Sequence, residues 1–376
     1  MTSGAVKGSL VLDADGKGLS FVRTGGALAA DSYTLTVRAG AGGLRDASGN
    51  VLDGNADGTV GDDYIAAFRV PTAPAVTLSL PDVMRGPGQD VVVPNNIAGG
   101  LHLPVRVSEG QGVESIAFTL LFDAAMLEVQ DVRLATGFAG TVSRTAVAGG
   151  IRVQAQFDAP LPAGAVSPID IVSRVPAGAT YGAAQVLDLR DVVVAGDGGD
   201  PVEAMGEDAL HVAAYLMDAD ANRSYGNADL TLLQNVAQGV DSGFAAYRGI
   251  DPSIVGDLNG NGQITTLDSN RFMQFLAGQA RPEIPALPAA AVAQPAVVPL
   301  VTPPAGSNVN WNETWNPGTS GTTPTVPPTT PSTTPAWKDT AWAKDLTQRL
   351  DQLGSGSTGT GGGSLLKNLS RLLAKL

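Results

Sequence analysis

The sequence predicts a multidomain, mainly β protein with one small α-helical module and a disordered C-terminal region rich in proline and threonine. Three observations lead to this expectation. Short runs of alternating apolar and polar residues, separated by Gly, Pro and Asp, recur as far as about residue 195. Two acidic twelve-residue stretches follow at 218–229 and 257–268, each continuing into an apolar pattern of helical spacing. Beyond residue 280, proline is frequent enough to favour an extended chain.

The first 72 residues have the alternation of β-hairpins separated by Gly and Asp turns. Ser9, Val11 and Phe21 fall in a first hairpin, and 33–37 is a strand of a second. A resemblance to the latter half of a bacterial Ig-like domain is carried by the segments 33–37, 46–50, 52–54 and 68–70. Such a β-sandwich needs about seven strands and about 100 residues. The resemblance therefore implies a partial Ig-like β-sandwich over 1–72.

Residues 76–200 contain short alternating runs at intervals of roughly eight to twelve residues, which is typical of a β-sandwich. In one of these runs, Ile116, Phe118 and Leu120 would share one face. The order of the runs 103–107, 118–123 and 126–129 is similar to that of a cohesin module, which implies a jelly-roll β-sandwich. A generic β-sandwich is the alternative interpretation.

The two acidic stretches place oxygen-bearing side chains at positions 1, 3, 5 and 12, which is the spacing of a calcium-binding loop. Calcium takes about six to eight hard oxygen ligands, and position 7 supplies a backbone carbonyl. The expected ligands of the first loop are Asp218, Asp220, Asn222, Ser224 through its carbonyl, and Asp229. Those of the second loop are Asp257, Asn259, Asn261, Gln263 through its carbonyl, Thr265 and Asp268. Either stretch alone would also fit a polar turn, but the repetition favours calcium.

Both loops continue into an amphipathic helical pattern that stops at a glycine in the same register. Leu230, Leu233 and Val236 recur at helical spacing after the first loop, and a matching pattern follows the second. Gly239 and Gly278 stand where a left-handed residue ends a helix most easily. No full helix pattern precedes either loop, and position 12 is aspartate. This arrangement resembles a type I dockerin over residues 211–280, which implies calcium-dependent docking onto a cohesin.

The dockerin resemblance also implies the residues that face a partner, at positions 10 and 11 of each loop. These residues are Asn227, Ala228, Thr266 and Leu267. The expected partner is a cohesin-bearing protein for this module, or a dockerin-bearing protein for the cohesin-like β-sandwich. Because only about fifteen residues separate the two modules, pairing within one chain is a third option.

The two loops differ at position 6, which is Arg223 in the first and Gly262 in the second. Calcium loops turn sharply at this position, and a residue other than glycine is strained there at positive φ. We therefore expect the first loop to bind more weakly.

A third acidic turn lies within the first 72 residues, where Asp53, Asn55 and Asp57 would be candidate metal ligands. Its position 12 is Tyr64, which cannot supply a carboxylate. A polar β-turn without metal is the alternative.

The C-terminal hundred residues divide into two predicted segments. Proline and threonine dominate 281–336, which we interpret as a linker that separates modules. The tail, 337–376, contains amphipathic helix patterns that would contact a partner helix or a membrane surface.

Composition narrows the classes of function. The net charge is −13 and the basic residues are scattered, which argues against a nucleic-acid surface. Cysteine is absent, so neither disulfides nor thiolate metal sites are expected, and no apolar run is long enough for a transmembrane span. The histidines are His102 and His211, and neither stands in a catalytic context. We therefore expect no enzyme activity.

These observations together predict a noncatalytic, calcium-dependent assembly protein of a bacterial surface or secreted system, linked to the binding or breakdown of polysaccharide. The start of the chain does not resemble a signal peptide, so we expect a fragment of a longer extracellular or cell-surface protein. One alternative is an adhesin-like surface protein whose β-sandwiches bind carbohydrate or act as spacers. Another is the noncatalytic end of a larger glycoside hydrolase.

Overall fold

The structure, a computed structural model, describes residues 4–12, 18–40, 43–45, 48–93 and 102–288. The strands are β1 (Gly8–Leu12), β2 (Leu19–Arg23), β3 (Asp31–Val37), β4 (Tyr64–Val70), β5 (Val76–Ser79), β6 (Val83–Met84), β7 (Leu103–Val107), β8 (Ser115–Leu121), β9 (Glu128–Leu134), β10 (Gly140–Val147), β11 (Gly150–Phe157), β12 (Val166–Arg174), β13 (Ala184–Ala195), β14 (Pro201–Val202), β15 (Ala204–Gly206) and β16 (Ala209–Val212). The helices are α1 (Asn227–Ala237), α2 (Pro252–Gly256) and α3 (Thr266–Leu276).

The described residues form two compact units. The first contains the described parts of Met1–Val11, Ser20–Ala29 and Thr72–Leu300, and the second those of Leu12–Leu19 and Ala30–Pro71. The first unit holds a β-sandwich with a seven-stranded and a five-stranded sheet. The larger sheet runs β10-β11-β8-β13-β16-β6, with β14 beside β13, and the smaller runs β15-β5-β7-β12-β9.

The alternation of strand β8 places its apolar side chains in the sandwich core. Ile116, Phe118 and Leu120 are at most 1% exposed and belong to one apolar cluster with residues of the smaller sheet, such as Leu103 and Ile169. The predicted shared face is therefore confirmed, because side chains two apart on a strand point to the same side of a sheet. Burial of this cluster stabilises the sandwich through the hydrophobic effect.

The segment between the two predicted modules is part of the sandwich. Strand β14 pairs with β13, β15 pairs in parallel with β5, and β16 lies between β13 and β6. Strand β16 includes His211 and Val212, so the sheet continues past residue 200 and into the range predicted for the helical module, 211–280. No flexible linker separates the sandwich from that module in the described residues.

The helices pack in a second apolar cluster that also contains sandwich residues. Leu233 of α1 and Phe272 of α3 are fully buried there, together with Met84 and Val212 of the larger sheet. Ile284, after α3, is only 4% exposed in the same cluster. The described start of the predicted linker 281–336 is thus folded chain, and the helices pack in one cluster with residues of β6 and β16.

The first predicted hairpin is formed by β1 and β2, and all of each strand but Leu12 and Leu19 belongs to the first unit. Val11 and Val22 join the cluster of the helical module, and Ser9 is fully buried. Leu10 N donates to the carbonyl of Gly249 at 2.7 Å. Phe21 is 42% exposed, since it points to the face of β2 opposite Val22.

The second unit contains a two-stranded antiparallel sheet of β3 and β4, with register from Asp31 opposite Val70 to Val37 opposite Tyr64. Tyr33 and Phe68 stack across the strands with ring centroids 5.6 Å apart. The range 1–72, predicted as one partial Ig-like β-sandwich, therefore contributes two separate two-stranded sheets to two units.

The remaining predictions for the C-terminal region, from 289 onward, lie outside the described residues. This includes most of the linker and all of the tail with amphipathic helices. Of the helices that are described, none combines the length and apolar character that a bilayer crossing requires.

Candidate metal centre

Strand β16 leads directly into the first predicted calcium loop. Every residue from His211 to Ala219 is buried, and Asp218, at loop position 1, has no exposed surface. A buried carboxylate needs hydrogen-bond partners or a cation to offset its desolvation. The position of this carboxylate is therefore set by the core of the first unit and not by the loop alone.

The first loop turns its side-chain oxygens toward its own backbone amides. Asp218 Oδ1 and Asp220 Oδ1 both accept from Asn222 N, at 3.1 and 3.0 Å. Asn222 Oδ1 accepts from Ser224 N at 2.7 Å. Carboxylate oxygens of Asp218, Asp220 and Asp229 all lie within 4.8 Å of one another. The structure thus brings the predicted side-chain ligands of this loop together.

The second loop repeats the hydrogen bonds that positions 1, 3 and 5 make to the amides of their own loop. Asp257 accepts from Asn261 N at 3.3 Å and from Gly262 N at 2.6 Å. Asn259 Oδ1 accepts from Asn261 N at 3.0 Å, and Asn261 Oδ1 accepts from Gln263 N at 2.9 Å. The same positions therefore make the same hydrogen bonds in both copies.

The aspartate at position 12 joins each loop to the helix that follows. Asp229 accepts from Asp220 N at 3.2 Å and from Gly226 N at 2.9 Å. Asp268 accepts in the same way from Asn259 N at 3.2 Å and from Thr265 N at 2.9 Å. Both lie at the third position of their helix, where a carboxylate caps the first turn. One carboxylate thus closes the loop and starts the helix.

The helices that leave the loops match the sequence prediction. Both are eleven residues long and are followed by glycines in the left-handed conformation, with φ of 70° at Gly239 and 85° at Gly278. Before the second loop the chain makes only the single turn α2, which Asp251 caps by accepting from Ser253 N at 2.9 Å. The expected lack of a full entering helix is confirmed there.

The two loops differ in the residues that adopt positive φ. In the first loop these are Ala221 at 60° and Arg223 at 68°, whereas the second has Gly260 at 73° and Gly262 at 78°. Left-handed conformation costs residues with a Cβ about 1–2 kcal/mol. The Arg223 side chain is buried, and its guanidinium lies 4.9 Å from the ring centroid of Tyr181, a cation–π contact that offsets part of this cost.

Tyrosines of the first unit hold the first loop in place. The Tyr181 hydroxyl donates to Asp218 Oδ2 and accepts from Tyr215 N at 3.1 Å. The Tyr247 hydroxyl donates to the Asp218 carbonyl at 2.8 Å. Asp257 is held differently: the hydrogen bonds described for its carboxylate come from amides of its own loop.

Negative charge is costly in the first loop when no cation is bound. Burial, with a smaller contribution from the charge of the nearby Asp229, raises the pKa of Asp218 to about 7. Burial also raises the pKa of Asp229 to about 6, with repulsion from Asp220 adding to the shift. A bound divalent cation would remove this penalty by supplying positive charge to the carboxylates.

The donor set fits a hard divalent cation. Each loop offers carboxylate, amide and carbonyl oxygens and neither a thiolate nor an imidazole, which suits calcium or magnesium rather than zinc. The Thr265 hydroxyl donates to Asp268 Oδ2 at 2.8 Å, so it lies beside the position-12 ligand. When bound, calcium would be held by these oxygens and would neutralise the aspartates.

The residues predicted to face a partner lie on the surface. Asn227, Ala228, Thr266 and Leu267 are all exposed, and the Leu267 side chain is 51% exposed despite being apolar. They begin α1 and α3. Neither helix start is therefore covered by the sandwich of the same unit.

The third acidic turn, in the second unit, has the same local pattern as the two loops. Asp53 accepts from Asp57 N at 3.2 Å and from Gly58 N at 2.9 Å, and Asn55 Oδ1 accepts from Asp57 N at 2.8 Å. Asp62, at position 10, accepts from Asn55 N at 3.0 Å, as Asp268 does from Asn259 N.

The sequence of this stretch also contains the acidic pair Asp62 and Asp63, but the twelve-residue spacing, which ends at Tyr64, limits the candidate ligands to Asp53, Asn55 and Asp57. Metal binding by Asp53, Asn55 and Asp57 stays a prediction.

Both histidines are held by sandwich residues. His102 Nδ1 lies 3.2 Å from Asp170 Oδ2, which also accepts from Arg133 at 2.9 Å. His211 is fully buried with its Nδ1 2.9 Å from Gln185 Nε2, and burial lowers its pKa to about 4. These contacts give each histidine a structural role.

Comparison with known proteins finds no matching family model and no matching curated protein. Solved structures give partial matches. A non-cellulosomal cohesin from the archaeon Archaeoglobus fulgidus is 17% identical, with 38% of this chain and 93% of that chain covered and a TM-score of 0.31. A type I cohesin from Pseudobacteroides cellulosolvens is 16% identical, with coverage of 37% and 92% and a TM-score of 0.30.

A chain of a type I cohesin–dockerin complex from Clostridium thermocellum is 13% identical, with coverage of 39% and 99% and a TM-score of 0.31. These values are too low to assign a family. The β-sandwich therefore rests on its own sheet topology.

Proposed function

We propose that this chain is a noncatalytic, calcium-dependent assembly protein of a bacterial surface or secreted system. In this proposal, the dockerin-like module binds one calcium ion in each of the loops 218–229 and 257–268. The ions stiffen the loops, and the starts of α1 and α3 then contact a cohesin-bearing partner. The cohesin-like β-sandwich serves as a rigid support and as a docking module for a dockerin-bearing protein.

The observation that carries the proposal is the repeated hydrogen-bond pattern of the two loops. Positions 1, 3, 5 and 12 turn oxygens toward equivalent amides in both copies, from Asp218 to Asp229 and from Asp257 to Asp268. Polar turns of independent origin would have no reason to share this register. A common ligand that needs oxygens at these positions supplies such a reason.

The division of each helix into a buried and an exposed side supports the docking role. Leu233 and Phe272 are fully buried in the core of the first unit, whereas Ala228 and Leu267 on the same helices are exposed. An exposed apolar side chain at a helix start is available to a partner without disturbing the core. We therefore expect pairing with a separate protein and not between the two modules of this chain.

The test is a pull-down from the source organism with the full chain immobilised in calcium, followed by elution with a chelator and mass spectrometry. We expect a cohesin-bearing protein in the chelator eluate. The variant with Asp229→Ala and Asp268→Ala should retain none of it, and Asp158→Ala, which removes an exposed sandwich carboxylate, should behave as wild type. Retention of polysaccharide, unchanged by chelator, would contradict the proposal and favour the adhesin alternative.

A further inference from the structure

Tyr181 belongs to the sandwich and reaches the first loop. It lies in the turn before β13, and its side chain is 6% exposed. Its hydroxyl donates to Asp218 Oδ2 and is itself fixed by Tyr215 N at 3.1 Å. The same carboxylate oxygen accepts from Arg223 N at 2.8 Å. The orientation of the position-1 carboxylate is thus set from outside the loop.

We propose that Tyr181 is a positioning residue for the first calcium site, through which the sandwich and the loop order each other. This inference rests on the proposed calcium binding. Partners that hydrogen-bond to a metal ligand fix its orientation, and their loss typically weakens metal binding by about 10–100-fold. The Tyr181 hydroxyl orients the Asp218 carboxylate in this way. Because the hydroxyl is uncharged, it does not neutralise the carboxylate, whose negative charge can still attract the cation.

The second site provides an internal comparison. The carboxylate of Asp257 is held by amides of its own loop in the described chain, among them Gly260 N at 2.8 Å and Gly262 N at 2.6 Å. It is partly exposed, whereas Asp218 is fully buried. Removal of the Tyr181 hydroxyl should therefore weaken one site and leave the other unchanged.

A second connection runs through the segment after α3. The hydroxyl of Tyr225, at position 8 of the first loop, donates to the Pro285 carbonyl at 3.1 Å. The next residue, Ala286, accepts from the sandwich residue Gln89 through Nε2 at 3.0 Å. Side-chain hydrogen bonds therefore connect the first loop to the sandwich at position 1, directly, and at position 8, through the segment after α3. The described residues show no such hydrogen bonds between the second loop and the sandwich.

The test is calorimetric calcium titration of the full chain as wild type, Tyr181→Phe and Tyr215→Phe. The Tyr215 hydroxyl belongs to the same aromatic cluster but donates its hydrogen bond to the Pro87 carbonyl, at 3.2 Å, and not to a loop carboxylate, so Tyr215→Phe is the matched control. We expect Tyr181→Phe to weaken one site about 10–100-fold, with the other site and the control variant at wild-type affinity. A purely structural role would lower both affinities or neither.

Two results would overturn the inference, and they are distinguishable. Two wild-type sites with unchanged affinity in Tyr181→Phe would remove the positioning role and leave the proposed function standing. No calcium binding by wild type would remove both.

If Tyr181→Phe does not fold by circular dichroism, Tyr247→Phe replaces it, since that variant removes the hydrogen bond to the Asp218 carbonyl. It should weaken the same single site, and equal affinities would again overturn the inference.

Discussion

The hydroxyl of Tyr181, in a turn of the sandwich, donates a hydrogen bond to the carboxylate of Asp218, the first residue of the first predicted calcium loop. These residues are neighbours because β16 ends at Val212 and the buried chain continues without interruption to Asp218. The loop therefore shares an apolar cluster with β6 and β16 of the sandwich, beside the sandwich's own core. Any ligand that stabilises the loop should stabilise the sandwich as well.

Calcium should accordingly protect strands of the sandwich and not only the helices. A ligand that binds only the folded state adds about 2.7 kcal/mol per site at one hundred times its Kd. We expect hydrogen–deuterium exchange in β13 and β16 to slow when calcium is added. The same strands in the Asp229→Ala, Asp268→Ala chain should show no response. Protection confined to α1 and α3 would contradict this shared cluster.

The strain at position 6 can be tested in the second loop. Gly262 has φ of 78° and open space around its missing Cβ, so Gly262→Ala should cost about 1–2 kcal/mol of stability through backbone conformation alone. Gly243, in the same module, also has open space but no positive φ, and Gly243→Ala should not destabilise. Urea unfolding measures both. Equal effects of the two variants would argue against strain at this position.

If the starts of α1 and α3 contact the partner, the charge introduced by Leu267→Asp should weaken partner binding more than tenfold. The affinity for calcium should not change. The reason is that Leu267 is 51% exposed and lies beside, but not in, the oxygen set of the loop. Val240→Asp, which alters a residue 68% exposed after α1, is the control and should bind as wild type. Surface plasmon resonance with the captured partner distinguishes the two variants.

Stability should fall between about pH 4 and pH 7 because of two partly buried acids in the first unit. Burial raises the pKa of Asp82 to about 6 and that of Glu207 to about 7, against the opposing charge of Arg23 in the latter case. A carboxyl whose folded pKa is raised stabilises the fold fully below its unfolded pKa. That contribution is lost as the pH rises through the folded value.

Asp82→Asn should therefore stabilise the protein by about 2–3 kcal/mol at pH 8 and have little effect at pH 4. The asparagine oxygen can keep the bond from Leu210 N, which is 2.7 Å in the wild type. Asp158→Asn, at an exposed position, is the control and should not change the pH profile. The measurement is denaturant unfolding of both proteins across this pH range. A constant difference in unfolding free energy between Asp82→Asn and wild type at all pH values would contradict this prediction.

The local features of the site could be predicted from the sequence because they depend on neighbours in the chain. The hydrogen bonds of the loops, the position-12 aspartates that cap the helices and the glycine stops are all set within a few residues, as Asp229 and Gly239 show. The inward face of β8 followed from alternation in the same way.

The features that could not be predicted depend on contacts between distant residues. Strand β10 alternates poorly, since it is an edge strand with mostly exposed side chains. Strands β14 to β16 are short and lie in a segment rich in Gly and Asp, so only pairing with β13, β5 and β6 reveals them. Tyr181 and Asp218 are far apart in the chain, and no periodic pattern connects them.

The most direct test of calcium binding by the paired loops is native mass spectrometry of the full chain with and without calcium. We expect the variant with Asp229→Ala and Asp268→Ala to carry two calcium ions fewer than wild type, and Asp158→Ala to carry the wild-type number. An identical ion count in wild type and in the double variant would contradict it.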